Sequence, residues 1–455
     1  PQRTAAEIST AVICQIGFVA IGVFLTSWSC CGLDTAYGSP KRRTTCPGVA
    51  RVRRIGYLGR TVTAADSPSS IHPPFDPLAE TISAIHDSPT RLAMAITGGG
   101  SGALSRLLAV PGASRTLLDA QVPYSANALT DFLGRQPDRF CDESTALAMA
   151  VVAYQRATRL ADDPGEDQPI LGLAATASLA SDRSKQGEHR ALVALQTNST
   201  TTLARLDLEK NARSRADEEQ LLAWLIVQLL AEAAGVNRCP ELALGEADRL
   251  VIRQSVASAE LADVWNQRTP IAWSLTDGNW STQPPAPPVG ILPGSFAPRH
   301  QGHVQLQQVA ETILGQPVYY EMTVVNADKP PLDFDTIHRR RKNFTDQPLA
   351  VTASPTFLEK ARLFPGTTFV IGADTAARVI DPHFYDNDPD QRDAALDAIA
   401  QLDCRFLVAG RLDNGSFLEL AALELPENAK DLFDAIPASL FRCDIASSDI
   451  RNTQN

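Results

Sequence analysis

Apolar and polar positions change rhythm several times along this chain of 455 residues. AVICQIGFVAIGVFL, residues 11–25, is almost wholly apolar. It falls short of the ~20 residues a membrane span needs unless it continues through TSWSCCGL. TVTAADSPSSIHPPFDPLAE, residues 61–80, is rich in Ser, Pro and Ala and reads as a linker. Regular patterning begins near residue 81. RLAMAIT (91–97) is a short apolar run that breaks into GGGSG, and ALSRLLAV follows at helical spacing, so strand, glycine turn and helix are expected in that order. DESTALAMAVVAYQRATRL (142–160) has an apolar face at helical spacing and an N-cap candidate in Asp142 or Ser144. Strands are expected in PILGLAATASLA (169–180), HRALVALQT (189–197) and TTLARLDLE (201–209). SRADEEQLLAWLIVQLLAEAAG (214–235) predicts a long helix closing at Gly235.

The pattern loosens over roughly 236–285, and STQPPAPPV (281–289) predicts a stiff, extended connector. A second alternation then begins. GILPGSF predicts strand and turn, HVQLQQVAETILG a helix ending at Gly315, and PVYYEMTVV a strand. TTFVIGADTAARVI predicts a strand running into a helix, DAALDAIAQL a helix and CRFLVAGRL a strand. Alternating strands and helices imply an α/β class in both halves. The halves do not match each other, so no internal repeat is expected.

Charge alters this picture at the N-terminus. The chain carries a formal net charge of −11, which argues against nonspecific nucleic-acid binding. Residues 1–65 carry +6 and the remainder −17. The apolar stretch followed by basic residues is open to three readings: a signal anchor, a targeting peptide, or a segment foreign to the protein, since the chain begins with Pro1 rather than Met. Four of the eight cysteines (Cys14, Cys30, Cys31, Cys46) fall in this leader. Cys141, Cys239, Cys404 and Cys443 are far apart, and no CxxC spacing suggests zinc or a disulfide framework. A reducing, cytoplasmic setting and no metal site are expected. A membrane role is expected only if the apolar leader is real.

The richest chemistry lies in LPGSFAPRHQGHVQL, residues 292–306, where two of the seven histidines stand three apart at a helix start. A strand that breaks at Gly294 and enters a helix near Gln301 aims helix N–H groups at whatever lies above the sheet, and such an end favours anions. Gly294 and Gly302 let backbone approach a ligand. His300 and His303, one turn apart, can reach one phosphate group and stabilise charge developing on it. Gly372 and Asp374 stand at the end of an apolar strand, where open α/β sheets bind ligands. Ser447, Ser448 and Arg451, in DIASSDIRNTQN, form a polar turn with a cation beside it, a second anion site.

Together these residues carry a resemblance. GSFAPRHQGH, with Ser295 and Phe296 inside it, resembles the GSFxPxHxGH signature of nicotinate/nicotinamide mononucleotide adenylyltransferases; GAD and SSDIR resemble their GxD and SSTxIR elements. The three occur in the family's order over about 288–451. The resemblance implies a Rossmann-like (HUP-type) domain with a parallel sheet that joins the AMP part of ATP to a pyridine mononucleotide, Mg²⁺ accompanying the ATP. It places His300 and His303 on the ATP phosphates, Ser447, Ser448 and Arg451 on the phosphate tail, and Asp374 in the nucleotide site. Lys329 is a further candidate cation. Ala297 stands where many relatives carry Asp or Asn, and Ala446 replaces the first Ser of the fuller ISSTxIR pattern. Pantetheine-phosphate adenylyltransferases and cytidylyltransferases share HxGH, so the acceptor stays open.

ITGGGSGALSRLLAVPGASRTLLDAQVPYSANAL, residues 96–129, resembles the CinA C-terminal domain of the nicotinamide-nucleotide amidase family, with its SxTGG turn, VPGSS-like step and YSNEAK segment. That resemblance implies hydrolysis of a carboxamide to give the substrate of the other half. A hydroxyl nucleophile and a base are then required. Thr97 and Ser101 are the hydroxyls of the glycine turn, Tyr124 matches the family tyrosine, and Thr176 matches a threonine near the substrate. Leu129 falls where the family has lysine. Lys185 and His189 are the substitute bases, although SDRSKQGEHR also reads as a solvated loop. Even without catalysis the glycine turn is a candidate phosphate cradle.

The expected organisation is therefore a leader and linker over 1–80, a CinA-like domain over 81–236, a linker region over 237–287 and a nucleotidyltransferase domain over 288–455. ATP and a mononucleotide are the expected partners, with a homo-oligomer left open. The rival expectation is a non-catalytic nucleotide-binding or regulatory protein.

Overall fold

The computed structural model describes residues 76–161, 168–182, 186–325, 330–413 and 416–442. The leader, Lys185, Lys329, Ala446, Ser447, Ser448 and Arg451 lie outside them. The first half contains α1 (Ala79–Asp87), β1 (Arg91–Thr97), α2 (Ser101–Ala109), α3 (Ala113–Thr116), β2 (Leu117–Gln121), α4 (Ala126–Leu133) and α5 (Glu143–Leu160). It continues with β3 (Ile170–Ser178), β4 (His189–Gln196), β5 (Thr200–Leu208), α6 (Arg215–Ala233) and β6 (Arg249–Val256). Asp142 caps α5 as expected, accepting from the Ser144 N–H, and Ser214 with Asp217 forms a capping box on α6. Six strands form one sheet in the order β2-β1-β3-β4-β5-β6. β1 pairs in parallel with β2 and β3, and the remaining pairs are antiparallel. Buried side chains from β1, β3 and β4 pack against the apolar face of α6 and, on the other side of the sheet, against α5.

The second half contains α7 (Ala259–Trp265), β7 (Ile271–Ser274), β8 (Trp280–Ser281), β9 (Gly290–Pro293), α8 (Gln301–Leu314), β10 (Val318–Thr323), α9 (Phe334–Arg341) and β11 (Leu349–Thr352). After these come α10 (Phe357–Leu363), β12 (Thr368–Gly372), α11 (Ala373–Ile380), α12 (Pro389–Gln401), β13 (Arg405–Ala409), the pair β14 (Arg411–Asp413) and β15 (Ser416–Leu418), and β16 (Phe433–Ile436). Its sheet runs β16-β13-β12-β9-β10-β11-β7-β8. The six strands from β16 to β11 are parallel, and β7 and β8 extend the edge in antiparallel fashion. Counted in chain order, the parallel strands lie third, second, first, fourth, fifth, sixth, the doubly wound arrangement. Its order reverses between β9 and β12, and that is where such sheets open a ligand crevice. The α/β class is thus confirmed in both halves.

The 237–287 stretch, expected as a linker region, contributes β6 to the first sheet and β7 and β8 to the second. β6 pairs along its length with β5, from Thr200–Val256 to Asp207–Arg249, while β7 pairs with β11 of the other sheet. α7 between them places Trp265 against Tyr154 of α5 at 5.2 Å and Phe334 of α9 at 5.1 Å. Arg253 of β6 bonds both Glu143 of α5 and Asp335 of α9. Among the described residues no helix is long and apolar enough to cross a membrane.

Candidate functional site

β9 ends at Pro293, and the chain turns through Gly294 and enters α8 at His300. The Gly294 N–H donates to the Glu321 carbonyl of β10. Phe296 is fully buried; its ring stands edge-on to His303 at 5.1 Å, Tyr320 at 5.3 Å and Phe344 at 5.2 Å. It therefore supports the His303 ring from beneath, while Ser295 is exposed and offers its carbonyl to Arg340. Arg299 clamps the same turn. Its guanidinium bonds the Asn343 carbonyl and Asp346, and lies over the Tyr320 ring at 4.7 Å.

The two histidines form a reciprocal cap on α8. The Gly302 N–H donates to His300 Nδ1 at 3.1 Å, and the His300 N–H donates to His303 Nδ1 at 3.2 Å. A ring nitrogen that accepts carries no proton, so each neutral imidazole bears its hydrogen on Nε2. The rings lie 3.9 Å apart, tilted by 35°. Burial, with the positive fields of His300, Arg411 and Arg299 behind it, pushes the His303 pKa down to about 3. Burial and Arg411 also lower that of His300. Both rings are consequently neutral donors at physiological pH.

Across the switch point, β12 ends at Gly372 and α11 begins, with Asp374 in its first turn. Asp374 Oδ2 accepts from Arg411 at 3.0 Å, while its buried Oδ1 has no partner among the described residues. Arg411 opens β14 just after β13, and its field reaches both imidazoles. The structure thus brings His300, Gly302, His303, Gly372, Asp374 and Arg411 to the carboxyl ends of β9, β12 and β13. Arg411 was not picked out in the sequence; its position directly after an apolar strand was the available signal.

The first-half candidates do not assemble in this way. Thr97 and Thr176 are register partners at the ends of β1 and β3, both buried, and the Thr176 hydroxyl donates to the Phe140 carbonyl at 2.8 Å. Tyr124 is 67% exposed. Gly98 adopts a φ of +74°, and a Cβ there would stand 2.0 Å from the Ala177 carbonyl oxygen, so the turn demands glycine. The expected phosphate cradle is already filled. Glu219 of α6 accepts from the Gly100 N–H at 2.9 Å, the Gly102 N–H at 3.2 Å and the Ser101 hydroxyl at 2.9 Å. Burial raises the pKa of Glu219, but these bonds outweigh it and leave the carboxyl below its usual range. Such a group is a poor base for Ser101. His189 is not a free base either: it is buried, with Nδ1 2.7 Å from Glu218. Leu129 is 1% exposed and shares an apolar cluster with Ala95, the residue standing at the first position of the SxTGG pattern.

No protein-family model and no curated protein matches the chain. Solved structures do. They include competence/damage-inducible proteins and proteins of the CinA superfamily. Competence/damage inducible protein CihA from Agrobacterium tumefaciens is 19% identical with a TM-score of 0.29, over 36% of this chain and 98% of that one. A CinA superfamily protein from Enterobacter cloacae is 19% identical with a TM-score of 0.28, over 34% and 90%. The competence or damage-inducible protein from Enterobacter asburiae is 20% identical with a TM-score of 0.28, over 34% and 96%.

Proposed function

We propose that residues 288–455 bind ATP in the crevice between β9 and β12 and transfer its AMP part to a pyridine mononucleotide. An oxygen of the acceptor phosphate attacks the α-phosphorus, and the bond from that phosphorus to the α–β bridging oxygen breaks. Pyrophosphate leaves with the electron pair. The observation that carries this reading is the twin cap: two neutral imidazoles, each held through Nδ1, with both Nε2–H groups, unpartnered among the described residues, able to donate where negative charge grows. Arg411 adds a cation at the same place, and Ser447, Ser448 and Arg451 would hold the phosphate tail. No covalent intermediate is required, because positioning and charge neutralisation lower the barrier. Magnesium bound to ATP phosphates takes one or two protein carboxylates, and Asp374, with its unpartnered Oδ1, suits that role.

For residues 81–236 the reading is a CinA-like domain that does not hydrolyse. Ala95 and Leu129 stand where the resemblance calls for Ser and Lys, and they meet in one apolar cluster; Glu219 occupies the turn. The test is pyrophosphate release from ATP and nicotinate mononucleotide, run beside ammonia release from nicotinamide mononucleotide. Pyrophosphate is expected from the wild type, with a loss of about a hundredfold or more in His303→Ala, and no ammonia. A wild type that releases no pyrophosphate would favour the rival reading of a non-catalytic nucleotide-binding protein.

A further inference from the structure

A cleft of about 520 Å³ lies at the joint of the two halves, bounded by the free edge of β6, the β7–β8 hairpin and the last turn of α9. That volume falls in the range of small-molecule sites, which favour such junctions. We propose that this cleft binds a small organic phosphate, separately from the His300/His303 crevice.

The argument is one of charge and fixed geometry. In a chain of net charge −11, α9 ends in the run HRRRK, and His338, Arg339, Arg341 and Lys342 all line the cleft. Asp335 is the acid in its wall, and its carboxylate is already shared by Arg253 at 3.2 Å and Arg339 at 3.0 Å. Asp277 lies near Arg341, but both its oxygens accept from Asn279. Among the described residues neither Arg341 nor Lys342 has a carboxylate within ion-pair distance.

Arg341 is also held in place. Its Nε–H donates to the Ser274 hydroxyl, one Nη2 hydrogen goes to the Gly278 carbonyl, and the guanidinium lies 5.1 Å from the Trp280 ring. These contacts leave Nη1 for a ligand, on a fork whose planar geometry suits phosphate oxygens. Burial lowers the Arg341 pKa, as expected for a desolvated cation short of a counter-anion. Phe344 and Leu275 supply apolar wall, so an organic body attached to the phosphate has something to rest against.

The cleft is distinct from the crevice. Ser274 pairs with Leu349, the first residue of β11, so the cleft adjoins the amino end of that strand. The His300/His303 pair and Asp374 instead stand beyond the carboxyl ends of β9 and β12. The two are linked through Phe344, whose ring packs on Phe296 beneath His303.

Calorimetric titration of the full chain with ribose 5-phosphate at low ionic strength tests the proposal, with ribose as the uncharged control. One site with a Kd below about 1 mM is expected, with no heat from ribose. His303→Ala should leave that site intact. Lys342→Glu, at an exposed position, and Arg341→Lys, which keeps the charge but loses the fork, should each weaken it about tenfold. The proposal is overturned if the wild type does not bind, if both cleft variants bind as tightly as wild type, or if His303→Ala abolishes binding. The last outcome would place the phosphate in the crevice.

Discussion

Removing the Glu219 carboxylate tests whether the glycine turn is held from within. In Glu219→Ala the Gly100 N–H loses its partner in a buried position, at a cost of about 1–3 kcal/mol. The positive end of α2 loses a facing anion, worth about 0.3–1 kcal/mol more. The Ser101 hydroxyl is exposed and Gly102 partly so; water replaces the carboxylate there, and they add little. The sum is about 1.3–4 kcal/mol, and at about 2–4 °C per kcal/mol the midpoint of thermal unfolding falls by about 3–16 °C. Glu219→Gln keeps an acceptor and should lose less. The sign with pH follows from a carboxyl whose folded pKa lies below its unfolded one. Its contribution is complete above the unfolded value of about 4.3 and fades as pH drops through the lower folded value. Scanning calorimetry on wild type and both variants at pH 7 and pH 3 reads all of this. An alanine variant within about 0.5 kcal/mol of wild type at pH 7 would refute the reasoning, because loss of a buried partner costs more than that.

Three further outcomes are expected. Lys360→Met strands the Glu321 carboxylate, 1% exposed and bonded at 2.7 Å to Lys360, and should cost about 3–5 kcal/mol in denaturant unfolding; adding Glu321→Leu should recover part of the loss. His303 has its folded pKa depressed from 6.5 to about 3, so above pH 6.5 it costs nothing, and below that value the unfolded chain takes up a proton the fold refuses. Wild type should therefore lose about 1.4 kcal/mol per pH unit more than His303→Asn between pH 6 and pH 4.5, read from denaturant midpoints. Gly294→Ala places a methyl 2.7 Å from the buried Phe296 ring, so the ring under His303 must move, and ATP affinity measured by titration should fall about tenfold while the fold survives.

The parallel cores of both halves were legible because their strands are buried runs and their helices keep an apolar stripe: RLAMAIT and TFVIG sit inside the sheets, and Asp142, Ser214 and Gly315 mark helix ends where they were expected. The joint was not legible. β6 is an edge strand with Val251, Ile252 and Val256 exposed, so its side chains follow no two-residue rhythm, and β7 and β8 are too short to show one. The histidine pair could be placed at a helix start from HQGH alone, but the use of both Nδ1 atoms as caps depends on χ angles that spacing does not encode. Glu219 and Arg411 were missed because each meets its partner across the fold: Glu219 lies more than a hundred residues from the turn it caps, on the polar side of a long helix. The Leu129 departure was visible, whereas its place in one cluster with Ala95 and the buried face of α5 needed the tertiary packing.

The central claim is that ATP phosphates meet the Nε2 atoms of His300 and His303. A crystal structure of the full chain with a non-hydrolysable ATP analogue tests it most directly. The account predicts phosphate oxygens about 2.7–3.2 Å from both Nε2 atoms, with the Arg411 guanidinium alongside. An analogue seated elsewhere, or a crevice between β9 and β12 that stays closed to it, would contradict the account.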